Sequence, residues 1–517
     1  MTREKRGTFS LLVFYQIYFQ EVPDEVDSFL ASQDGMIIRD RDSRMCRHNA
    51  RQKCTHCLPL DPYDEDYLKE KEIKHMSFHS YVRKLTAGRG KGHAVKPLEN
   101  LVCKLKPNCL GHKPYPQGIC SKCAPPMITL NRQKFRHVDN ISIENEDVVN
   151  RFLGFWRKSG NQRIGYLIGR YEPFLDVPLG IKATVAAIYE PPQESSSDSV
   201  SLVDDPHEKD VDLLCSYLNL RRVGWIFTDL WSADSAKGTV HCTRYMDSFL
   251  LSAQECITAG SLQNKYRNLT KYCTEGYFGS KFVTLVASGD QSEQIHFSGY
   301  QVSNQCAALV DANVLCPTSF PELAYVREKP LSPTHYIPDV HYTEKNEYGV
   351  ETRRDGRPMP VEFMLVDVPA GMPKEPNFTF HAVSSKEFSF LIENRLCIGE
   401  KQDTDSLGKY IGQFSKNQFL ELASNFHFLL FLKTNNIVHF TEEEIKQLCT
   451  AVRDRNRGEA MEWAENTTNW STLVALLQHS SEHSSSEASS DHWACKHCTY
   501  VNTEKRSDCA ICGLPYE

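Results

Sequence analysis

Apolar positions change their spacing several times along this chain of 517 residues, and each change marks an element or a boundary. In ENEDVVNRFLGFWRKSG (144–160), Val148, Phe152, Phe155 and Trp156 come round to one side, which predicts an amphipathic helix. RIGYLIGRY (163–171) and GIKATVAAIYE (180–190) read as strands, and the polar run PPQESSSDSVSLVDDP (191–206) reads as a loop. Val211, Leu214, Cys215 and Leu218 mark a second helix before the strand VGWIFTD (223–229). KFVTLVAS (281–288) and QIHFSGYQV (294–302) are further strands. Pro330, Pro333, Pro338, Pro358 and Pro360 predict an extended wrap along the body over 328–360. Helical spacing returns in 414–478, with Phe419, Leu422, Phe426, Leu429 and Leu430 as the buried face.

These textures divide the chain into an atypical N-terminal segment (1–35), a Cys/His-rich region (36–137), an α/β body (138–330) and an extended, then helical, region (331–479). A Ser-rich stretch (480–490) reads as a flexible linker, and a last small unit occupies 491–517. The fold class is α+β, multidomain. In the first twenty residues, Lys5 and Arg6 precede LLVFYQIYF, superficially like a signal peptide. Gln16 inside that run, Gln20 and Glu21 after it, and the lack of a small-residue cleavage site argue against one. A strand, a disordered start and an alternative N-terminus are the readings left. No run of about 20 apolar residues is present to span a bilayer.

The formal charge is −7, which argues against a protein whose whole surface grips nucleic acid. Residues 36–137 nevertheless carry 21 Lys/Arg against 9 Asp/Glu, a local +12. That excess fits either a solvated face or docking on an acidic partner surface. No run interleaves aromatic and basic residues as a base-stacking platform needs, so nucleic acid is not the expected partner. Of 19 cysteines, ten fall into three tight clusters and nine are scattered, which fits a reducing compartment, cytosolic or nuclear, better than a disulfide framework.

Region 36–137 has too few apolar runs for a large core, so metal-organised units are expected there. Cys46-x-His48-x5-Cys54-x2-Cys57 offers three thiols and one imidazole, with His48 rather than His56 as the nitrogen ligand. Cys109-x2-His112-x7-Cys120-x2-Cys123 repeats that set. Gly111, Gly118, Pro114 and Pro116 permit its turns, and Cys103 is a spare thiol able to swap in. Cys495-x2-Cys498 and Cys509-x2-Cys512, ten residues apart, form a four-thiolate set in a unit too small to fold without metal. About three structural Zn²⁺ ions are expected, each with all four positions filled by protein.

Around the last cluster, Trp493-x-Cys495-x2-Cys498-Thr499-Tyr500-x-Asn502 resembles the small ubiquitin-binding zinc finger of the Npl4 type. The resemblance assigns ubiquitin contact to Thr499, Tyr500 and Ile511, Tyr500 standing where Phe is commoner. Residues 180–229 resemble the MPN domain of metalloisopeptidases, in which a Glu serves as acid/base and a Gly-Trp-x-His-x-His strand binds a catalytic zinc. Glu190 takes the Glu position, whereas Phe227 and Asp229 stand where the histidines belong. The later Ser-x2-Asp feature has its nearest match in Ser252-Ala253-Gln254-Glu255. Phenylalanine has no lone pair for a metal, so the resemblance implies an MPN fold without hydrolytic activity. His241 and Cys242 nearby read as incidental.

Two Cys3His sites, an inactive MPN body and a terminal ubiquitin finger, with KHMSFHSYVRKLT (74–86), ITLNRQKFRHVDN (128–140), GWIFTD and SKFVTLV, together resemble the nuclear protein localisation 4 (Npl4) family over about residues 26–517. That resemblance implies an adaptor rather than an enzyme. Its expected partners are ubiquitin and polyubiquitin, the ubiquitin fusion degradation 1 protein, and the AAA ATPase called valosin-containing protein. The implied task is delivery of ubiquitinated substrates for proteasomal degradation, from cytoplasm, nucleus and the endoplasmic reticulum surface, the last through partners only. The two N-terminal zinc units would sit on the ATPase ring. The family normally opens with a ubiquitin-like domain, which the first 35 residues do not resemble, so weaker ATPase binding is expected than for a chain carrying it. A zinc-dependent isopeptidase and a zinc-finger nucleic-acid binder are the competing classes.

Overall fold

The computed structural model describes residues 23–487 apart from 43, 50–51, 88–95, 106–108, 110–111, 114–117, 235–236, 246–247, 346–347, 349 and 381–388, together with the backbone of 493–494 and 501–502. Its centre is one eight-stranded sheet. The strands are β1 (Asn140–Ile143), β2 (Ile164–Phe174), β3 (Gly180–Tyr189), β4 (Arg221–Asp229), β5 (Val283–Gly289), β6 (Ile295–Val302), β7 (Leu365–Val368) and β8 (Ala370–Gly371). Their spatial order is β7-β6-β5-β4-β2-β3-β1-β8. The two ends of that order are consecutive in sequence. Val368 of β7 pairs with Gly299 of β6, and Ala370 of β8 pairs with Ile141 of β1. Pro369 lies between them, and its carbonyl accepts the Ile141 amide at 2.8 Å. The ladder therefore closes on itself.

Closure gives each strand an enclosed face and an outer face by simple alternation. Ile141, Leu167, Val185, Ile226, Leu285 and Val368 fill the enclosed core and are essentially without exposure. Val149 and Phe152 of a helix at Glu146–Ser159 join that core, and the same cluster takes in Val26 and Leu30 of a helix at Glu25–Ser32. Leaving aside a short helix at Glu65–Glu70, the helices in chain order are α1 (Glu25–Ser32), α2 (Phe78–Thr86), α3 (Glu146–Ser159), α4 (Glu208–Tyr217), α5 (Ala253–Lys265) and α6 (Asn304–Asp311). Then follow α7 (Thr404–Ile411), α8 (Phe419–Ala423), α9 (Phe426–Thr434), α10 (Glu442–Arg453), α11 (Arg457–Asn466) and α12 (Thr468–Glu487). The outer face, with Tyr166, Tyr189, Trp225, Phe227 and Val286, shares its core with α4, α5, α6 and the helices from α7 onward.

Strands and helices fall where the apolar spacing placed them, with differences that have local causes. On α3 the fully buried residues are Val149, Phe152, Leu153 and Phe155, while Val148 and Trp156 are half-buried, because the helix is gripped from two sides. The expected loop 191–206 holds a small hairpin, Gln193–Ser195 against Val200–Leu202. The expected wrap over 328–360 contains a second hairpin, Val340–Lys345 against Glu351–Asp355, and Val340–Tyr342 also pair with Ile128–Leu130. Prolines flank that hairpin without entering its paired residues. Helix α12 carries the backbone into the Ser-rich stretch expected as linker, as far as Glu487, since serine, unlike proline or glycine, does not break a helix already propagating. The Cys/His-rich region also has a small core after all: Leu68, Phe78, Val82 and Phe135 pack with Cys273 and Phe278 of the body.

The segment before residue 36 contributes α1, which is held by charge as well as by Val26 and Leu30. Asp27 accepts from His79 Nε2 at 2.9 Å and from Lys281 Nζ, and Asp24 pairs with Lys281 and Arg221. Burial raises the Asp27 carboxyl, but Lys281 and His79 outweigh it and pull the group down to about 2. Its contribution is fully present above its unfolded value of 3.8 and is lost as pH falls through about 2. We expect Asp27→Asn to lower unfolding free energy by about 2 kcal/mol at pH 7. The gap to wild type should close between pH 4 and 2 in urea titrations; a gap independent of pH would refute this.

Candidate functional site

The first Cys/His set is gathered by a short loop. Cys46, His48, Cys54 and Cys57 place their ligand atoms within 4.8 Å of one another. Cys54 Sγ lies 3.7 Å from Cys46 Sγ and 3.9 Å from Cys57 Sγ, close to the edge of about 3.8 Å that a tetrahedron with Zn–S bonds near 2.3 Å requires. His48 holds its Nδ1 2.9 Å from the Asn49 carbonyl and turns Nε2 toward Cys57 Sγ at 3.2 Å. A histidine whose outer nitrogen is tied to a carbonyl presents the other as a lone pair for metal. His56 is exposed and outside the set. Arg39 braces the Cys54–Cys57 turn by donating to the carbonyls of Thr55 and Leu58. The Cys54 thiol is drawn down to about 6, chiefly by the His56 backbone amide, which favours the thiolate that binds metal.

Cys109, His112, Cys120 and Cys123 repeat the arrangement within the same 4.8 Å limit. Cys109 and Cys120 sulfurs are 3.7 Å apart, and His112 Nδ1 lies between the Gly118 carbonyl at 3.2 Å and the Cys120 amide at 3.3 Å. Gly118 takes a left-handed φ of 80° that favours glycine, and a Cβ there would meet Lys113 at 2.4 Å. Gly111, Pro114 and Pro116 lie outside the described residues. Cys103 does not join this set. It is buried in the main core, and burial pushes its thiol up to about 11. Both donor sets fit a tetrahedral Zn²⁺ closed by protein ligands. Cys495, Cys498, Thr499, Tyr500, Cys509, Ile511 and Cys512 lie outside the described residues. Of their unit, Trp493–Ala494 and Val501–Asn502 pair as antiparallel strands on either side of the first cysteine pair.

On the sheet, Phe227 and Asp229 point to the outer face at the end of β4, and a cation already sits there. Arg244 donates from Nε to Asp229 Oδ2 at 2.7 Å and makes a two-pronged pair with Glu255, at 2.8 and 2.6 Å. Its guanidinium lies 5.4 Å from the Phe227 ring centroid and is only 7% exposed. Glu255 also caps α5 in a capping box with Ser252, and Trp231 Nε1 donates to Asp229 Oδ1 at 3.0 Å. Paired this way, Arg244 holds its charge more firmly than a free arginine: burial opposes it, but Glu255 and Asp229 raise its pKa. His241 is exposed, and Cys242 is half-buried with its thiol 3.8 Å from the Arg244 carbonyl.

Glu190 is not brought to Phe227 and Asp229. It follows Tyr189, whose side chain is on the outer face, and so turns the other way, toward α3. There it is fully buried. Arg163 Nε donates to its Oε2 at 2.7 Å and Arg395 Nε to the same oxygen at 2.9 Å, while Arg395 Nη2 holds Oε1. The Arg163 guanidinium lies 4.1 Å from the Phe155 ring centroid of α3. Arg395 Nη2 also donates to the Arg151 carbonyl, and Asn394 to that of Glu190. Glu190 therefore fastens residues 394–395 to the sheet, with both carboxylate oxygens engaged by guanidinium rather than turned to a water.

A model described as the NPL4 family matches residues 163–478. The chain belongs to the NPL4 family. A second model of that family, its zinc-binding region, matches residues 21–160 and so takes in α1 and both Cys3His sets. Nuclear protein localization protein 4 homolog 1 of Caenorhabditis elegans is 56% identical over 516 residues, covering 95% of this chain and 97% of that protein. The Homo sapiens homolog is 48% identical over 509 residues, 96% of this chain and 82% of that protein. Nuclear protein localization protein 4 of Saccharomyces cerevisiae is 38% identical over 473 residues, 88% and 80% of the two. No described helix of this NPL4-family chain is long and apolar enough to cross a membrane.

Sequence reading missed Arg244, the residue that decides what the β4 site can do. RYMDSF carries no motif, and only the register of β4 beside α5 brings it between two acids. Removing it strands Asp229 and Glu255 without a counter-ion. Arg244→Ala should cost about 3–5 kcal/mol in urea unfolding, with Arg244→Lys recovering part of it. A cost under about 1 kcal/mol would contradict the buried network.

Proposed function

We propose that this chain is a non-catalytic ubiquitin-binding adaptor. In this reading it pairs with the ubiquitin fusion degradation 1 protein and recruits polyubiquitinated substrates to the valosin-containing AAA ATPase for unfolding and proteasomal degradation, at the endoplasmic reticulum as well as in cytoplasm and nucleus. The observation that carries the non-catalytic part is Arg244. An isopeptidase of the MPN type needs an open zinc with a bound water, and here a guanidinium bridges Asp229 and Glu255 at 2.6–2.8 Å over the Phe227 ring. A cation and a metal cannot share that seat. Glu190, the acid/base of the resemblance, is engaged by two arginines on the other face.

Membership of the NPL4 family supports the adaptor role, and the two Cys3His sets support structural zinc. The terminal four-cysteine set, Cys495, Cys498, Cys509 and Cys512, would supply a third site and offer Thr499, Tyr500 and Ile511 to the apolar patch of ubiquitin. The basic excess of 36–137 would face the ATPase ring.

Purified full-length chain should contain about three zinc ions by elemental analysis, and Cys498→Ser about two. Incubated with ubiquitin chains and added zinc, it should release no monomer; release abolished by Glu190→Gln would establish the isopeptidase instead. Tyr500→Ala should weaken monoubiquitin binding about tenfold in a titration, the usual loss for one aromatic anchor. Unchanged affinity would remove the terminal unit from recognition. Shift of RNA or DNA at low salt would favour the nucleic-acid class.

A further inference from the structure

The second Cys3His set is not self-contained. Its ligand loop is straddled by a strap from the far end of the body, the proline-rich segment leading into the Val340–Lys345 strand. His335 fastens that strap: it accepts the Leu331 amide at Nδ1, which leaves Nε2 as the donor to the Ala312 carbonyl at the end of α6, 2.9 Å away. Past it, the Asp339 carbonyl accepts the Ile128 amide, and Val340–Tyr342 pair with Ile128–Leu130, five residues beyond Cys123. Between these two anchors stands Tyr336, only 4% exposed. Its hydroxyl donates to the carbonyl of Lys113, the residue after the ligand His112, at 2.5 Å. Its ring meets the His112 imidazole edge-on, with centroids 6.4 Å apart.

We propose that Tyr336 is a positioning residue of the second Cys3His zinc site, so that retention of metal there depends on the strap of the body. This rests on the reading of that set as a zinc site. The physical reason is that a ligating imidazole binds well only when its ring is held in the coordinating orientation by partners outside the metal's own shell. Gly118 fixes Nδ1 of His112 from within the unit, and Tyr336 fixes the backbone and ring face from without. The first set differs: its brace, Arg39, comes from the same unit. The two sites, alike in ligands, thus differ in what their zinc is coupled to. Loss of metal from the second loosens the strap, and displacement of the strap lowers the second site's hold on metal.

The test uses the full-length zinc-loaded chain and a chromophoric chelator, following release of each zinc equivalent. Cys109→Ser identifies the equivalent held by the second set by removing it. Tyr336→Phe keeps the ring beside His112 and loses the bond to Lys113. It should release that equivalent about tenfold faster, and Tyr336→Ala faster still, toward roughly a hundredfold. The Cys46-set equivalent should leave at the wild-type rate, which separates loss of positioning at the second set from general loosening of the chain. Wild-type release from the second set in Tyr336→Phe, or equal acceleration at both sets, would overturn the proposal. If Cys109→Ser removes no zinc at all, the reading of the set as a zinc site fails first, which is a separate and visible outcome.

Discussion

A charge taken out of water must meet an opposite charge at hydrogen-bonding distance, or its desolvation unravels whatever buried it. Among the described residues, three of these meetings show what they do for the fold. Glu190 between Arg163 and Arg395 joins the sheet to residues 394–395. Arg244 between Asp229 and Glu255 joins the end of β4 to the start of α5. Asp24 and Asp27, with Lys281, Arg221 and His79, join α1 to the body. Each meeting draws in partners from separate elements, so each fixes where one element stops sliding against another.

Set beside the Cys/His loops, Arg244 suggests a division of labour between kinds of cation. Where a segment lacks apolar surface, as around Cys46 and Cys109, three thiols and an imidazole converge on a point that suits a metal ion. Where the core is already dense, as beneath Phe227, a side-chain guanidinium neutralises the carboxylates and needs no exchangeable ion. An ion with a vacant position can polarise water; a guanidinium, planar and saturated with donors, can only hold its partners in place.

Much of this is legible in the one-dimensional pattern because it is local. The runs over 163–171, 180–190, 223–229, 281–288 and 294–302 are strands because β-branched and aromatic side chains suit a pleated surface covered on both faces. The ligand sets are legible because two-residue spacing between thiols is a turn geometry. What escapes reading is non-local. Nothing in LVDVPAG announces that it joins both edges of a sheet. Alternation past Tyr189 cannot be counted until register is known, so the chain alone does not say that Glu190 faces away from Phe227. Cys103 looks like a spare ligand by proximity in sequence, whereas its neighbours in space are core residues.

The single step at Pro369 has a consequence for solubility. An open sheet of this size would present two rows of free amides and carbonyls, each a template on which another chain could grow. Passing one short segment from the first row to the second extinguishes both. One edge strand of a smaller sheet, Glu351–Asp355, is exposed at every residue and written almost wholly in charge, Glu-Thr-Arg-Arg-Asp. A neighbouring molecule that tried to extend it would have to bury Arg353 and Arg354 beside its own backbone, which discourages fibrous stacking at high concentration.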